Sequence, residues 1–379
     1  MNHIKYISYY SGKESKEEKR SCFPAAQNKI EYICKVLHEI EYRVTIVSAS
    51  VTEDTKGYFG KVTKINDKTE IRYFRTFATG KKIKRIISVL SMRLFLFLYM
   101  LTTINKDETV LVYHSLGYAS IVAAIKKIKK FRLVYEVEEI YTDVGNFSEK
   151  QKKKERRHLS CADGYIFSTE FLNYNINTDH KPHAIVYGTY QVEKDRQVRI
   201  EDGKIHVLYA GTFDVNKGGA DMAVMSGEYL SENFHLHIIG FGSEEDVRRI
   251  KSEISQVRQK TKAEVTYDGV LEGEEYIYFL QKCDIGLSTQ KPEEVFNNSS
   301  FPSKILSYLS NGLQVVSARI PVVEESAIGG LINYYEKHEP HQIAEAICRA
   351  SIRNDSNNRM VIEQLDRQFR GELRQLLNS

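Results

Sequence analysis

The sequence has few cysteines, and their spacing forms no recognisable pair. Cys22, Cys34, Cys161, Cys283 and Cys348 are odd in number and scattered, and no Cys-x-x-Cys motif occurs. This spacing argues against a disulfide framework and a structural zinc site, so we expect reduced thiols in a cytoplasmic protein. The amino terminus also lacks the continuous apolar stretch of a signal peptide.

Long apolar runs are missing as well. The longest apolar-looking run among the membrane candidates, residues 94–105, has 12 residues, whereas a helix that spans a bilayer needs about 20. There is no repeat or low-complexity segment. Of the 379 residues, 42% are hydrophobic and 27% are charged. The chain therefore has the composition of a globular protein and enough length for two domains.

Positive charge is concentrated in the first half of the chain. Residues 1–190 contain 32 Lys and Arg against 21 Asp and Glu, a net charge of +11, whereas residues 191–379 contain 22 against 29, a net charge of −7. A basic half indicates a negatively charged neighbour. This could be an anionic membrane surface, a phosphorylated acceptor or nucleic acid.

Short β-type runs alternate with helical patterns in two series. In the first series, strands at 4–9 and 43–48 flank a helix at 25–40. After a charged, aperiodic stretch at 190–204, a second series begins with a strand at 205–210. Because βαβ units build parallel sheets, the predicted fold class is α/β, with two Rossmann-like doubly wound domains.

Four polar or glycine-rich turns follow predicted strands of the second half. They are YAGTFDVNKGG, IIGFGSEED, YDGVLEGEE and the loop 290–300. Ligands of open α/β sheets bind beyond the carboxyl ends of the strands, where these turns lie. The second turn has Gly240 and Gly242 but carries Glu245 where a dinucleotide fingerprint has its third glycine. A nicotinamide enzyme is therefore disfavoured.

A polar loop runs directly into a predicted helix in NNSSFPSKILSYLSNG, residues 297–312. Pro302 suits the first helical turn, so the helix should begin at about that residue. At 100° per residue, Ser303, Lys304 and Ser307 share one face, and the opposite face is apolar. Unpaired backbone N–H groups, hydroxyls and an ammonium would together bind phosphate. The alternative is a surface helix with an ordinary serine cap.

Taken in order, the segments from Tyr209 to Ser317 resemble the C-terminal domain of GT-B-fold glycosyltransferases of family four, the glycosyl transferases group 1. The segment FPSKILSYLSNGLQVVS resembles the FPSK variant of capsule and O-antigen biosynthesis enzymes. The resemblance implies an acceptor-side domain at 1–190 that faces, across a cleft, a nucleotide-sugar-binding domain at 191–355. A terminal helix at 356–379 could pack back on the first domain.

The resemblance implies a nucleotide-diphosphate sugar, UDP- or GDP-linked, as donor substrate, and no further cofactor. Lys217, Ser303 and Lys304 would hold phosphate, and Val270 and Leu271 would contact the base. The complete set of predicted donor-binding residues is Gly211, Thr212, Lys217, Gly240, Val270, Leu271, Asn298, Ser299, Ser300, Ser303, Lys304 and Ser307.

Three positions depart from the family pattern. Ser299 and Ser307 stand where the family commonly carries two glutamates, the second of which binds the ribose. A hydroxyl cannot replace a carboxylate that accepts hydrogen bonds from two ribose hydroxyls. Thr212 stands where an arginine is often found. The nucleotide base and the anomeric outcome of the reaction therefore stay open.

The candidate catalytic residues lie in the first half, at the ends of predicted strands. Glu138 or Glu139 could deprotonate or orient an acceptor hydroxyl, and His114 is a further candidate. Alternatively, the acids pair with the basic run at 150–158 on a solvated face. No Asp-x-Asp motif of metal-dependent transferases occurs, so Lys217, Lys304 and helix N-termini would supply positive charge without a metal.

Two pairs of histidines, His180 with His183 and His235 with His237, could suggest a metal. The second pair lies on a predicted strand, and neither pair has an evident third ligand. We therefore predict no metal site.

The segment 81–101 has the pattern of an interfacial helix. Its apolar positions on one face are Ile83, Ile87, Leu90, Leu94, Leu98 and Leu101, and its basic positions on the other are Lys81, Lys82, Lys84, Arg85 and Arg93. With the basic runs at 126–130 and 152–157, this face could dock on anionic lipid at the inner side of a membrane. A buried helix of the domain fits the pattern equally well.

The sequence favours a glycosyltransferase that acts on a saccharide or polyprenyl-diphosphate-linked acceptor, a precursor of surface polysaccharide. A nucleotide-sugar epimerase of the same architecture is the alternative enzyme, and it would need neither acceptor nor membrane. A nucleic-acid-binding protein is less favoured because the lysine runs lack interleaved aromatic residues. We therefore expect no nucleic-acid partner.

Overall fold

The chain forms two compact units in the computed structural model. The structure describes residues 2–80, 82–215, 218–293, 297, 299–352 and 357–379. Unit 1 consists of Met1–Tyr187 with Gln368–Ser379, and unit 2 consists of Gly188–Arg367. The division after Tyr187 falls three residues before the expected boundary at residue 190.

Unit 1 contains an eight-stranded sheet. Its strands are β1 (Asn2–Ser8), β2 (Tyr42–Ser48), β3 (Lys61–Lys64), β4 (Thr69–Tyr73), β5 (Thr109–Tyr113), β6 (Arg132–Val137), β7 (Gly164–Phe167) and β8 (His183–Ile185). The strand order is β3-β4-β2-β1-β5-β6-β7-β8. Neighbouring strands are parallel, except for the antiparallel hairpin of β3 and β4.

The helices of unit 1 include one of 22 residues. They are α1 (Pro24–Glu39), α2 (Lys82–Thr103), α3 (Ala119–Lys129), α4 (Tyr141–Val144), α5 (Glu149–Leu159) and α6 (Glu170–Ile176). Met92, Leu96 and Met100 of α2 lie in the same apolar cluster as β1 and β5. Burial of one such side chain stabilises the fold by about 1.5–3 kcal/mol, so α2 is anchored in the core of unit 1.

Unit 2 contains a six-stranded, wholly parallel sheet. Its strands are β9 (Ile205–Thr212), β10 (Phe234–Phe241), β11 (Glu264–Gly269), β12 (Ile285–Ser288), β13 (Gln314–Ala318) and β14 (Ile332–Tyr335). The order is β11-β10-β9-β12-β13-β14. The helices that follow are α7 (Gly219–Ser226), α8 (Glu244–Arg258), α9 (Gly273–Leu280), α10 (Ser303–Ser310), α11 (Pro321–Glu324), α12 (Pro340–Ile352) and α13 (Asn358–Asn378).

Helix α13 belongs to both units, because the division at residue 367 falls inside it. In its unit 1 part, Phe369, Leu373 and Leu376 are at most 1% exposed. Arg132 Nη2 donates a hydrogen bond to the Leu376 carbonyl oxygen at 2.5 Å. A guanidinium at the carboxyl end of a helix satisfies carbonyl groups that have no partner within the helix, so the end of α13 is fixed in unit 1.

The predicted fold class, two Rossmann-like domains with parallel sheets, is confirmed. The sequence reasoning missed the hairpin of β3 and β4, whose turn is closed by Asn66 Oδ1, a 2.8 Å acceptor for the backbone N–H groups of Lys68 and Thr69. The helical pattern predicted at 81–101 forms α2, which is longer than the apolar run at 94–105. The basic residues that interrupt the apolar run are accommodated within the helix, since Arg93 is only partly buried.

Candidate functional site

The carboxyl ends of the unit 2 strands converge on a topological switch point. From β9 the sheet continues to one edge through β10 and β11, and from β12 it continues to the other edge through β13 and β14. Ligands of such sheets bind in the crevice at this point. The turn after Thr212, the loop after Ser288 and helix α10 all leave the sheet here, and each carries predicted site residues.

At Gly211 and Gly240 the backbone lies at this crevice without a side chain to cover it. They are register partners at the ends of β9 and β10. Gly240 has a φ of +142°, and a Cβ added there would overlap the Gly211 carbonyl oxygen. Other residues rarely adopt this conformation, so the position requires glycine.

Lys304 reaches from α10 to the same place. Its Nζ lies 4.3 Å from the ring centroid of Tyr209 and 3.1 Å from the position that a Cβ of Gly211 would take. The Tyr209 hydroxyl donates a hydrogen bond to the Thr212 carbonyl oxygen at 3.1 Å. The face of an aromatic ring attracts a cation, so Tyr209 holds the Lys304 ammonium beside the Gly211 backbone.

Helix α10 presents the two faces that its sequence predicts. It begins at Ser303, with Pro302 as the N-cap residue. Ile305, Leu306 and Leu309, on the face predicted to be apolar, are buried. On the other face Ser303 is exposed, and Lys304 and Ser307 are partly exposed. The first backbone N–H groups of the helix and the positive end of its dipole lie at the helix end that carries Ser303 and Lys304.

A second ammonium comes from the loop after β12. The aliphatic part of Lys291 packs over Gly218, the N-cap residue of α7, which has a φ of +61°. Asn297 Nδ2 donates to the Lys291 carbonyl oxygen at 2.5 Å, and Gln290 Nε2 donates to Asn297 Oδ1 at 2.8 Å. These bonds fix the loop that carries Lys291.

The other predicted donor-binding residues lie farther out. Ser307 Oγ is 3.3 Å from the Tyr276 hydroxyl of α9. Val270 is 52% exposed and Leu271 is partly buried, both in the loop between β11 and α9. Since adjacent strands are about 4.8 Å apart, this loop leaves the sheet about 10 Å from the end of β9. The predicted base contacts and phosphate contacts are separated by that distance.

Some predicted residues cannot be placed. Lys217 and Asn298, both predicted to bind the donor, lie outside the described residues, as does Lys81 of the predicted interfacial segment. Of the serines that follow Asn298, Ser299 is 6% exposed and Ser300 is partly buried.

A cavity of about 320 Å³ opens at the carboxyl ends of β9 and β10. It includes Thr212 and Gly242 and two carboxylates, those of Asp214 and Asp246. Carboxylates accept hydrogen bonds from sugar hydroxyls but repel phosphate. The acidic cavity and the Lys304 ammonium therefore suit different parts of a nucleotide sugar.

Unit 1 has a larger cavity of about 640 Å³ at the carboxyl ends of β1, β2 and β5. These strands surround the switch point of this sheet, which lies between β1 and β5. The wall includes the aromatic side chains of Tyr9, Tyr113 and Tyr141 and the hydroxyl of Ser115. Helix α2 contributes Arg85 and Met92. Such a mixed wall suits a ligand with both apolar and hydroxyl groups.

The acidic residues after β6 pair within unit 1. Glu136 is fully buried and accepts a hydrogen bond from the Tyr6 hydroxyl. Burial, followed by the charge of Glu138, raises the pKa of Glu136. Glu138 Oε1 accepts a hydrogen bond from Lys29 Nζ of α1 at 2.5 Å. For Glu138, the alternative of pairing with the basic run at 150–158 is therefore wrong, because its partner is Lys29.

His114 and Glu139 differ in their access to solvent. His114 is 1% exposed, and its ring centroid lies 5.3 Å from that of Tyr141. Burial lowers the pKa of His114 to about 4, so the ring is neutral at pH 7. Glu139 is partly exposed, and burial and the charge of Glu138 raise its pKa. Of the three catalytic candidates, Glu138 and Glu139 are partly exposed to solvent, whereas His114 is buried.

Helix α2 packs one face in the core and exposes another apolar face. Ser88, Met92, Leu96 and Met100 recur at every fourth position and are buried. The exposed apolar side chains, which we call the α2 stripe, are Ile83, Ile86, Ile87, Leu90, Leu94 and Leu98, with exposures of 45–73%. One face of α2 therefore belongs to the core of unit 1, and its other apolar face is exposed.

By length and composition, α2 could also cross a membrane. It is the one helix with these properties among the residues that the structure describes. The apolar run of 12 residues at 94–105 overlaps only part of this helix, because α2 continues through its basic positions for 22 residues.

The sequence reasoning missed residues that act through spatial neighbours. Tyr209 contacts the predicted site residue Lys304, and Lys291 packs over Gly218, but neither Tyr209 nor Lys291 lies in a motif that marks it. His206 is different, since it precedes Gly211 by five residues, as His235 precedes Gly240. Equal spacing from register-paired glycines on adjacent parallel strands could have placed the two histidines together. The inference that His235 and His237 lack a third ligand is therefore wrong.

The comparison with protein families agrees with this geometry. The family model for glycosyl transferases group 1 matches residues 204–351, which contain β9 to β14 and the crevice at their carboxyl ends. A search of curated protein sequences finds no match.

Solved structures with the same fold cover nearly the whole chain. A trehalose-6-phosphate synthase has a TM-score of 0.67 at 9% identity and covers 100% of this chain and 98% of its own. A sucrose-phosphate synthase from Thermosynechococcus elongatus has a TM-score of 0.63 at 11% identity, with 99% and 95% covered. A glycosyltransferase from Rickettsia africae has a TM-score of 0.62 at 12% identity, with 100% and 97% covered.

These structures establish the fold, and the family match, which covers residues 204–351, supports a glycosyltransferase activity. The chain is therefore a glycosyltransferase of the GT-B fold, with a group 1 domain at residues 204–351, that uses a nucleotide-sugar donor and a sugar acceptor.

Proposed function

We propose that this glycosyltransferase transfers a sugar from UDP or GDP to a lipid-linked precursor of a surface polysaccharide, at the inner face of a membrane. The observation that carries the proposal is the α2 stripe, because α2 also lines the 640 Å³ cavity of unit 1. A helix that contacts the bilayer would bring this cavity to the saccharide of a lipid-anchored acceptor.

On the donor side, the diphosphate binds at the amino end of α10. The Lys304 ammonium beside Gly211 and the first N–H groups of α10 supply positive charge and hydrogen-bond donors. Lys291 is a second cationic group at the amino end of α7. Charge-assisted bonds of this kind are stronger than neutral ones, and preorganised donors stabilise the charge that develops on a leaving diphosphate.

In the transfer step, the acceptor hydroxyl oxygen forms a bond to the anomeric carbon of the donor sugar. The bond from that carbon to the diphosphate oxygen breaks, and the diphosphate leaves with its electron pair. The hydroxyl proton passes to a base, a role that we assign to Glu138 or Glu139. The raised pKa of Glu139 favours it, because a carboxylate with a higher pKa is a better base.

Basic residues accompany the α2 stripe. Lys82 and Lys84 lie in the exposed first turn of α2. Helix α3 packs against α2 and ends in the basic run 126–130, and α5 packs against α3 and carries the run 152–157. Lysine and arginine beside an apolar helix face are attracted to anionic lipid headgroups, which supports docking of unit 1 on such a surface.

The proposal is tested by comparing two acceptors. After a thermal-shift screen of UDP, GDP, dTDP and CMP sugars identifies the donor, transfer is measured to a polyprenyl-diphosphate saccharide in anionic vesicles and to the same saccharide free in solution. Faster transfer on vesicles supports the proposal, and equal rates contradict it.

A charge-reversed control separates membrane docking from chemistry. Lys82→Glu with Lys84→Glu should slow transfer on vesicles and leave transfer to the free saccharide unchanged, because neither residue lines the cavity. Since the proposed cationic groups are side chains and helix N-termini, turnover should survive EDTA. Loss of turnover in EDTA while the chain stays folded would contradict that part of the mechanism.

A further inference from the structure

Three histidines of unit 2 lie together near the amino ends of β9 and β10. His206 is the register partner of His235, and His237 follows two residues later on the same face of β10. One ligand nitrogen from each ring lies within 4.8 Å of the other two. His206 and His237 are 2% and 4% exposed. The cluster is about 16 Å from Gly211, five residues along β9, and takes no part in the donor site.

Two ring nitrogens that face each other are spaced for a metal ion. We call the nitrogens that face another histidine inner and those on the far side of the ring outer. His206 Nδ1 lies 3.0 Å from His237 Nε2. Two nitrogens at that spacing, each about 2.1 Å from an ion, subtend an angle of about 90° at the ion. The ring of His235 stacks on that of His237, with centroids 3.8 Å apart. Its Nε2 lies 3.0 Å from Thr266 Oγ1, and one of its ring nitrogens lies within 4.8 Å of ligand nitrogens of His206 and His237.

The outer nitrogens of the same two rings face carboxylates. His206 Nε2 lies 3.0 Å from Asp202 Oδ1, and His237 Nδ1 lies 3.2 Å from Asp268 Oδ2. A carboxylate accepts the N–H of a neutral imidazole, which leaves the lone pair on the other ring nitrogen. The inner nitrogens of His206 and His237 would then present two lone pairs to each other, an arrangement that requires a cation between them.

We propose that His206, His235 and His237 bind one divalent transition-metal ion of the Zn²⁺ class. Imidazole is the preferred ligand of Zn²⁺, Ni²⁺ and Cu²⁺, whereas Mg²⁺ and Ca²⁺ prefer oxygen. The carboxylates of Asp202 and Asp268 fix the tautomers of the ligating rings, as outer partners of metal-bound histidines do. The ion links β9 and β10 and, through Asp268, β11, so its role is to stabilise unit 2.

The competing explanation is a single proton shared between His206 and His237. A shared proton satisfies the same two lone pairs but makes no use of His235 and gives no response to Zn²⁺. Metal binding to the folded chain, in contrast, stabilises it in proportion to the logarithm of the ion concentration. The two explanations therefore differ in a measurable way.

The test uses the untagged full chain, stripped with EDTA and dialysed. Calorimetric titration with ZnCl₂ should give one ion per chain, and the melting temperature should rise with Zn²⁺ but not with Mg²⁺. Co²⁺ should give the visible absorption of an imidazole-ligated ion. Absence of saturable Zn²⁺ binding overturns the proposal and leaves the shared proton.

Three variants locate the site. His237→Gln should abolish binding, whereas His341→Gln, an exposed histidine of the same unit, should leave it unchanged. Asp202→Asn, which alters a partly exposed side chain and keeps all three rings, should weaken Zn²⁺ binding by about 10- to 100-fold. The Asp202→Asn variant keeps the test valid if His237→Gln does not fold. Equal affinity in wild type, His237→Gln and Asp202→Asn would overturn the assignment.

Discussion

Burial determines the protonation of the polar residues at the carboxyl edge of the unit 1 sheet. It lowers the pKa of His114 and raises those of Glu136 and Glu139. In each case the charged form is disfavoured because it would lose its hydration. At this edge burial therefore favours the neutral form of each residue, and a charged partner such as Lys29 offsets that effect.

His114 should make the stability of the protein depend on pH. Its pKa is about 4 in the folded chain and near 6.5 when exposed. Between these values the unfolded chain binds more protons, so stability falls as pH is lowered from 6.5 to 4. We expect this loss to be about 3 kcal/mol at most and to be absent in His114→Gln. Urea unfolding at several pH values measures it, and parallel pH profiles for the two proteins would contradict it.

For single residues, the sequence predicted a place in the site only where the residue belongs to a local pattern. Lys304 and Ser303 were found because a loop, a proline and a helical wheel put them at one helix end. Tyr209 and Lys291 were not, because their importance depends on contacts between segments that are far apart in the chain. His114 could be placed at a strand end, but the ring of Tyr141 that covers it belongs to α4, which the sequence did not predict.

Helix α2 contributes both to the core and to the surface. Its buried positions recur every four residues, and its exposed apolar positions lie on the opposite side. An exposed apolar stripe on a monomer marks a surface that contacts something else. The two faces can therefore be altered separately.

We expect Leu90→Ala with Leu94→Ala to weaken binding to anionic vesicles by about tenfold or more, because each exposed leucine loses apolar area. The stability of this double variant should stay within about 0.5 kcal/mol of wild type. The matched substitution Leu96→Ala, at a fully buried position, should cost about 2–5 kcal/mol. Sedimentation with vesicles measures the first effect, and urea unfolding measures the second. Unaltered sedimentation of the double variant would mean that the α2 stripe does not contact the membrane.

At the scale of elements, periodicity predicted α2 and the faces of α10 well. The apolar run at 94–105 covered only part of α2, because a count of apolar residues stops at a charge, whereas a helix exposes the charged side chain and continues. The hairpin of β3 and β4 was missed because its strands are short and largely polar, and the side-chain contacts of Asn66 determine its turn.

The terminal helix α13 is shared by the two units, since it starts in unit 2 and ends in unit 1. The residue at which it passes from one unit to the other lies inside a continuous helix. No change of composition marks this residue, so a boundary drawn from the sequence falls at the linker instead. The alternation of strands and helices, in contrast, runs through each unit and made the two sheets predictable.

Leu373→Ala should destabilise unit 1, because Leu373 is fully buried there. We expect a loss of about 2–5 kcal/mol. Arg374→Ala, the exposed neighbour on the same helix, should change stability by about 0.5 kcal/mol or less. Calorimetry should show the loss in the unfolding transition of unit 1, and equal melting of the two variants would mean that the end of α13 adds little to that unit.

The account as a whole depends on a nucleotide diphosphate bound at the amino end of α10 in unit 2. Calorimetric titration of UDP and GDP into wild type, Lys304→Ala and the control Lys260→Ala tests it most directly. Lys260 is an exposed lysine of the same unit that pairs with Glu228. Loss of a charge-assisted bond costs about 1.5–3 kcal/mol, so Lys304→Ala should bind about tenfold more weakly or worse, and Lys260→Ala should bind as wild type. Equal affinity of all three proteins would contradict the assignment of the diphosphate to this helix.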